Sequence, residues 1–374
     1  MPIPWREAMS QALYGPDGFF VAGTGPAAHF RTSVHASPAF ASALVRLIAQ
    51  VDAALDHPPR LDVVDVGAGR GELLRSLLRL VASSAAVGDA VGDDPSSVAD
   101  RPSLVERVRF TAVELAPRPE HLPEPIEWVS EIPAGITGLL TATEWLDNVP
   151  LDVAVHTRDG WRYLLVDPES GAETVGELVS AADSDWLTQW WPRASDSAAA
   201  GSDPDLALTW TDGTSETPHS DHRAEIGRPR DEAWADAVRQ ISRGLAVAVD
   251  YGHLRRDRPV DGTLTGYRSG RQVAPVPDGT TDVTAHVAMD SVASAGAAAA
   301  RCAYSLVSQR EALRALGADG RRPPLGLAGT DPAGYLRALA AASAVAELTD
   351  PAGLGGHWWL RQPVGIPLEP AVAR

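Results

Sequence analysis

"DVVDVGAGRGELL", residues 62–74, is the stretch on which the fold turns. An apolar run ends in Asp65, glycines stand at 67, 69 and 71, and leucines then resume at helical spacing. The first part has the pattern of a short buried strand. The glycines mark a turn that lets backbone pass close to a ligand. In the segment that follows, residues 70–82, Leu73, Leu74, Leu77, Leu78 and Val81 share one helical face.

Further strands read outward from this unit. "RVRFTAVEL" (107–115) is a second strand ending at Glu114, "IEWVS" (126–130) a third, and "GLLTATEWL" (138–146) a fourth that ends near Thr143 and Glu144. "GLAVAVDYG" (244–252) is a strongly apolar fifth strand and "HWWLRQP" (357–363) the last, with a shorter one near 302–307. Helices are expected at 3–13, 36–56, 231–243, near 284–294, at 308–316 and at 332–348. The second of these carries Phe40, Leu44, Leu47, Ile48, Val51 and Leu55 on one face. "DVAVHTRDGWRYLLVD" (152–167) alternates around Asp159-Gly160, a hairpin turn signal. Residues 84–102 are rich in Ala, Ser, Asp and Gly and read as a surface insertion. Residues 168–230 are acidic and Trp-rich with little strand pattern.

Strands alternating with helices predict an α/β fold, a mostly parallel doubly wound Rossmann-like sheet of about seven strands. The expected divisions are an N-terminal helical cap (1–60), a first half of the core (61–150), an inserted hairpin and helical subdomain (151–230), and a second half of the core (231–374) with a long loop at 253–282. Ligands of such sheets bind at the carboxyl ends of the strands. That rule gathers Asp65–Gly71, Glu114, Glu144–Asn148 and Asp250–Gly252 on one rim.

Composition removes several functions. A net charge of −17 disfavours nucleic acid, which demands a basic footprint. No apolar run of membrane-spanning length occurs, and "MPIPWREAMS" has no secretory or transit-peptide character, so a cytoplasmic location is expected. All 32 basic residues are arginine, which excludes a P-loop lysine and Schiff-base chemistry. The single cysteine, Cys302, excludes cysteine-cluster metal sites and reads as a buried structural thiol. The ten histidines show no H-x-x-x-H spacing, so no metal is expected. The 11 tryptophans, among them Trp186, Trp190 and Trp191, read chiefly as core.

Which ligand, then, does the glycine turn hold? A dinucleotide fingerprint would need glycine at position 72, where Glu72 makes a poor neighbour for a pyrophosphate. What stands there is acid-x-Gly-x-Gly-x-Gly, formed by Asp65, Gly67, Gly69 and Gly71 with Ala68 between. This spacing resembles the first motif of class I S-adenosylmethionine (SAM)-dependent methyltransferases. SAM carries no phosphate, and Asp65 is suited to orient its amino group. Glu114, 49 residues further on, ends the second strand, where an acid accepts hydrogen bonds from ribose hydroxyls.

"MSQALYGPDGFF", "HFRTSVHASPAF", "VVDVGAGRGELL", "TEWLDNVPLDV", "VDYG", "GTLTGYRSGR" and "DVTAHVAMDSV" follow one another in a characteristic order. Together with "SQREALRALG" and "GGHWWLRQ" they resemble the MidA-like (DUF185) SAM-dependent methyltransferases over nearly the whole chain. That family includes a mitochondrial complex I assembly factor that methylates a protein arginine. The resemblance implies that "TSVHASPAF" folds over the cofactor, bringing Thr32, Ser33 and Ser37 near it. It also implies that "EWLDNVP" lies where the acceptor binds. Two positions depart from the family pattern: His29 and His35 stand where acids are usual.

An arginine acceptor is cationic and calls for carboxylates that bind the guanidinium and localise electron density on one nitrogen. Glu144 and Asp147 suit that task, although Asp147 could equally cap a turn. Asp250 is either a further acceptor contact or an ordinary arginine partner. His286 reads as a general base or, more simply, a packed helix-start histidine. Arg268 and Arg271 are expected to hold the long loop through ion pairs. The expected acceptor is a protein side chain, arginine foremost. Two other readings stand beside it: a small-molecule O- or N-methyltransferase, and a SAM-binding assembly or scaffold protein without transfer. Self-assembly is compatible with the sequence.

Overall fold

Leu61–Val66 is the central strand that the opening motif predicts. The computed structural model describes residues 1–21, 32–87, 102–192, 222–318 and 320–367. The chain begins with α1 (Trp5–Tyr14) and α2 (Pro38–Ala54), then β1 (Leu61–Val66) and α3 (Glu72–Val87). β2 (Val108–Val113), β3 (Ile126–Val129) and β4 (Ile136–Thr143) follow. After an excursion, α4 (Arg228–Arg239) leads into β5 (Ile241–Asp250). α5 (Met289–Ala300), β6 (Ser305–Ser308), α6 (Gln309–Ala315), α7 (Pro332–Leu348) and β7 (Trp358–Val364) complete the core.

The seven-stranded sheet runs β6-β7-β5-β4-β1-β2-β3. β1 to β5 pair in parallel, whereas β7 is antiparallel to both β5 and β6. The fold is therefore α/β with a mixed sheet. Its strand order reverses at β1, flanked by β2 on one side and β4 on the other, and a crevice opens at such a point.

Alternation along β5 explains the two layers. Leu245, Val247 and Val249 face a core cluster built with Phe40, Leu44 and Leu47 of α2, Leu74 and Leu77 of α3, and Trp359. Ala246 and Ala248 face the opposite cluster, with Trp234 and Val238 of α4 and Val292 of α5. The six apolar positions expected on the second helix are all buried.

A second, antiparallel sheet gathers Ile3–Pro4, Gly160–Val166, Asp152–Thr157, Arg223–Ile226 and Glu173–Leu178. The hairpin expected at Asp159-Gly160 is present, closed by Thr157 opposite Gly160. The strand-poor reading of 168–230 is corrected. Glu173–Leu178 is almost wholly exposed and so lacks apolar alternation, and Arg223–Ile226 is only four residues long. α1 packs on this sheet through Trp5, Met9 and Leu13, while α2 packs on the main core. Trp186 and Trp191 are buried beneath the same excursion, as core residues.

Other boundaries shift for local reasons. The helix expected near 284–294 begins only at Met289, because Asp282–Thr284 and Val287–Ala288 are held in strand pairs. The one at 231–243 starts earlier, at Arg228, after Gly227 and with Pro229 in its first turn. Residues 3–4 join the second sheet instead of the first helix. Cys302 is half-buried in the turn after α5, not in a buried strand. Arg268 pairs with Asp278 at 3.4 Å, as the loop reading requires. The insertion expected at 84–102 falls largely outside the described residues.

One buried ion pair pins α2 to the start of β2. Arg107 Nη1 and Nη2 donate to the two Asp52 oxygens at 2.7 and 2.8 Å, and His57 Nδ1 lies 2.7 Å from the same carboxylate. Burial opposes ionisation of Asp52, but Arg107 and His57 together hold its carboxyl below the usual range. This stabilisation is present above the ordinary aspartate pKa and is lost as pH falls through the depressed one. Asp52→Ala strands the Arg107 charge and is expected to cost about 3 kcal/mol in urea unfolding at pH 7. A loss below about 1 kcal/mol would show that the guanidinium finds other partners.

Candidate active site

The carboxyl ends of β1, β2 and β4 open into a cavity of about 1030 Å³. Gly67, Gly69 and Gly71 have φ of +70°, +60° and +75°, so the turn after β1 takes the left-handed conformation that favours glycine. Gly67 has a second reason to lack a side chain. A Cβ there would stand 2.7 Å from Trp145 Cδ1.

Three acids hold this half of the cavity. Gly69 N–H donates to Glu114 Oε2 at 3.0 Å, and Leu115 and Ala116 N–H donate to Oε1. Burial raises the Glu114 pKa against these donors. Asp65 accepts from the Thr141 hydroxyl at 3.0 Å. Burial, only partly offset by that hydroxyl, pushes Asp65 up to about 7. Glu72 accepts from Arg70 N–H and lies 3.7 Å from His35 Nε2. His35 also meets Thr32 Oγ1 at 2.7 Å and lines the cavity with it.

These residues fit SAM. Asp65 and Glu114 are acids raised by burial, hydrogen-bonded to neutral groups, at a site where SAM brings an ammonium and a sulfonium. Thr143 Oγ1, on a residue that lines the cavity, is buried without a partner. Gly67, Ala68 and Gly69 line the wall beside them, whereas Gly71 shapes the turn against Leu122. Ser33 and Ser37 have other work. The Ser33 hydroxyl meets Gln309 Oε1 at 3.2 Å, and Ser37 caps α2 by accepting from Ala39 N–H. His29 lies outside the described residues.

The opposite half is acidic and aromatic. Glu144, in the left-handed region at φ +51°, accepts from Ser33 N–H at 2.9 Å. Burial, opposed by that N–H and reinforced by Asp147, pushes Glu144 up to about 7. Asp147 Oδ2 accepts from the Tyr251 hydroxyl and, at 2.7 Å, from Thr284, while its Oδ1 is buried without a partner. Burial holds the Asp147 pKa up despite these donors. Asp282, which the sequence reading did not single out, accepts from Asn148 Nδ2 at 2.8 Å, and burial beside Asp147 pushes it up to about 8.

Asp250 does not line the cavity. Its oxygens accept from Leu146, Asp147 and Tyr251 N–H, so it builds the turn that presents Asp147. The arginine partner considered for it is not what its oxygens bind. His286 and His357 line the cavity beside Tyr251, with ring centroids 5.1 and 5.6 Å from it. Burial holds His357 down at about 4, hence neutral, with Nδ1 4.0 Å from Glu144. Tyr14 of α1 closes the wall by donating to Asn148 O at 3.3 Å. Asp282 and His357 each open a stretch quoted for other reasons, "DVTAHV" and "HWWLRQP", and no spacing rule marks either.

Comparison with known proteins gives the family and the fold. A family described as S-adenosyl-L-methionine-dependent methyltransferases matches residues 43–306. The mitochondrial protein arginine methyltransferase NDUFAF7 of Xenopus tropicalis is 25% identical over 345 residues, 86% of this chain and 73% of that protein. A Burkholderia thailandensis protein bound to S-adenosyl-homocysteine has the same fold, with a TM-score of 0.73 at 21% identity over 99% of this chain and 90% of that one. A second Burkholderia thailandensis structure gives 0.69 at 23% identity, over 100% and 90%. The match covers well over half of the sequence: the chain belongs to this family and is a SAM-dependent methyltransferase.

Proposed function

We propose that the methyl acceptor is a protein side-chain nitrogen, arginine foremost. One observation carries the reading. Glu144, Asp147 and Asp282 crowd one half of the cavity, and their hydrogen-bonding partners there are neutral: a backbone N–H, Tyr251, Thr284 and Asn148. Three carboxylates raised by burial make a place for a cation, and a planar guanidinium can engage two of them at once. The arginine activity named for the Xenopus relative supports the same choice.

Asp65, the 67–69 backbone, Glu114 and Thr143 would hold SAM. When bound, it supplies a methyl group on a sulfonium to a nucleophile placed in line with it. Glu144 and Asp147 hold the guanidinium and withdraw positive charge from one nitrogen. That nitrogen would take the methyl from the sulfonium, with cleavage of the S–CH₃ bond and release of S-adenosyl-homocysteine. The proton lost from the nitrogen would pass to a carboxylate, for which Asp147 Oδ1 is free. Tyr14, Tyr251 and Trp145 exclude water around the exchange.

The test is transfer of labelled methyl from SAM into cell lysate by the full chain, with protein and small-molecule fractions separated and the protein hydrolysed. Label is expected in methylarginine. Label confined to the small-molecule fraction would overturn the reading in favour of a metabolite acceptor.

A further inference from the structure

Arg230, in the first turn of α4, is only 1% exposed. Its guanidinium binds main-chain carbonyls, not carboxylates. Nε donates to Val149 O at 3.2 Å, Nη1 to Ala285 O at 2.9 Å and His286 O at 3.0 Å, and Nη2 to Asp147 O. A buried cation is destabilising unless charges or dipoles replace its water. Arg230 meets that cost by clamping two loops. One follows β4 and carries Asp147 and Asn148. The other follows Asp282–Thr284 and carries His286.

Both loops line the acceptor half of the cavity. Ala285 N–H adds to the clamp by donating to Asp147 O at 3.4 Å, and the Thr284 hydroxyl, which donates to Asp147 Oδ2 at 2.7 Å, lies 3.2 Å from the same carbonyl. Asp147, Asp250 and Glu225 are the buried acids whose charge Arg230 faces. Glu225 is already engaged by Thr263 and Leu264 N–H, and Asp250 by three backbone N–H groups. Of these three acids, Asp147 is the one with an unpartnered oxygen and a place in the cavity lining.

We propose that Arg230 is a positioning residue of the transfer reaction: it fixes the Asp147 and His286 loops around one guanidinium and supplies the buried positive charge that balances the Asp147 carboxylate. The proposal rests on Asp147 serving the acceptor. Other groups act on Asp147 from each element packed against it. Glu144 after β4, Asp250 at the end of β5 and Asp282 are acids that oppose its ionisation. Tyr251, Tyr14 and Tyr267 are hydroxyls that burial, reinforced by its charge, keeps protonated. His286 is the imidazole that its charge favours in the protonated form, against burial. Removing Arg230 therefore leaves Asp147 among acids.

The experiment uses the full chain with ¹³C-labelled aspartate, the Asp147 carboxyl resonance being assigned by its loss in Asp147→Asn. In Arg230→Gln its titration midpoint is expected to rise by about one pH unit or more, with Arg230→Lys closer to wild type. S-adenosyl-homocysteine affinity, measured by calorimetry, is expected to stay within about threefold, because the clamp does not touch the glycine turn. Labelled-methyl transfer into lysate protein is expected to fall about tenfold at pH 7 and to recover as pH rises.

An unchanged midpoint in a folded Arg230→Gln that binds S-adenosyl-homocysteine would overturn the proposal. A uniform loss of transfer at every pH would overturn it too, since a merely structural role acts that way. If Arg230→Gln does not fold, Arg230→Lys carries the test. Lys keeps the charge but not the fork that reaches four carbonyls, so the midpoint is expected to hold while transfer falls. Either a midpoint raised as in a neutral variant or wild-type transfer overturns the proposal. The carboxyl titration needs no acceptor. A shifted midpoint with no label in protein would therefore overturn the acceptor reading and leave the clamp standing.

Discussion

Gly67→Val is expected to weaken S-adenosyl-homocysteine binding at least about 100-fold, or about 2.8 kcal/mol, in calorimetry on the full chain. Two independent costs meet at this position. Its φ of +70° strains any L-residue by about 1–2 kcal/mol. Its Cβ would also enter Trp145, 2.7 Å from Cδ1 and 3.1 Å from Cβ. Either the turn opens and carries Gly69 away from Glu114, or Trp145 is driven from its place before the Leu146–Asn148 turn. Both outcomes damage the cavity while leaving the two packed faces of the sheet untouched. Gly69→Ala tests the backbone cost at a second position, since φ is +60° there, and a loss of about tenfold is expected. Wild-type affinity in a folded Gly67→Val would detach the turn from the cofactor. Should that variant not fold, wild-type affinity in Gly69→Ala would do the same.

The glycine turn was legible because its residues are adjacent in sequence and have few other uses. Strand, turn and helix follow one another within 62–74, so local rules suffice there. Glu114 needed one further rule, that the second strand ends beside the first, and β2 does pair with β1 in register. The acceptor half is different. Asp282, His357 and Arg230 arrive from segments distant in the chain, and each has an unremarkable local setting. Arg230 stands just before the helix expected at 231–243 and nothing local marks it, yet it is buried by two loops that only the tertiary fold brings together. Asp250 shows the opposite case. Its place at a strand end suggested chemistry, whereas the structure uses both oxygens to bind backbone N–H groups. The excursion over 151–226 was only half legible, since an exposed strand such as Glu173–Leu178 has no face to bury and hence no period.

Glu144→Gln should separate binding from turnover. Gln keeps an oxygen that can accept from Ser33 N–H, so the short helix Ser33–Ala36 has reason to stay in place. What it loses is the negative charge that holds a cationic acceptor and the capacity to receive a proton. Transfer is expected to fall about 10²–10³-fold, with S-adenosyl-homocysteine affinity within about threefold of wild type. The pH profile supplies the second arm. In the folded protein Glu144 is pushed up to about 7, so below that pH the group is increasingly a neutral acid. Wild-type transfer is therefore expected to rise between pH 6 and 8, by about tenfold per unit at the acidic end. In Glu144→Gln the Glu144 contribution to that limb should vanish. Asp147→Asn gives the complementary case. Its amide retains an oxygen for Tyr251 and Thr284 but cannot balance Arg230, so a similar loss of transfer is expected together with a lower melting temperature. Full turnover in Glu144→Gln with an unchanged acidic limb would remove Glu144 from the reaction and leave Asp147 and Asp282 to hold the acceptor.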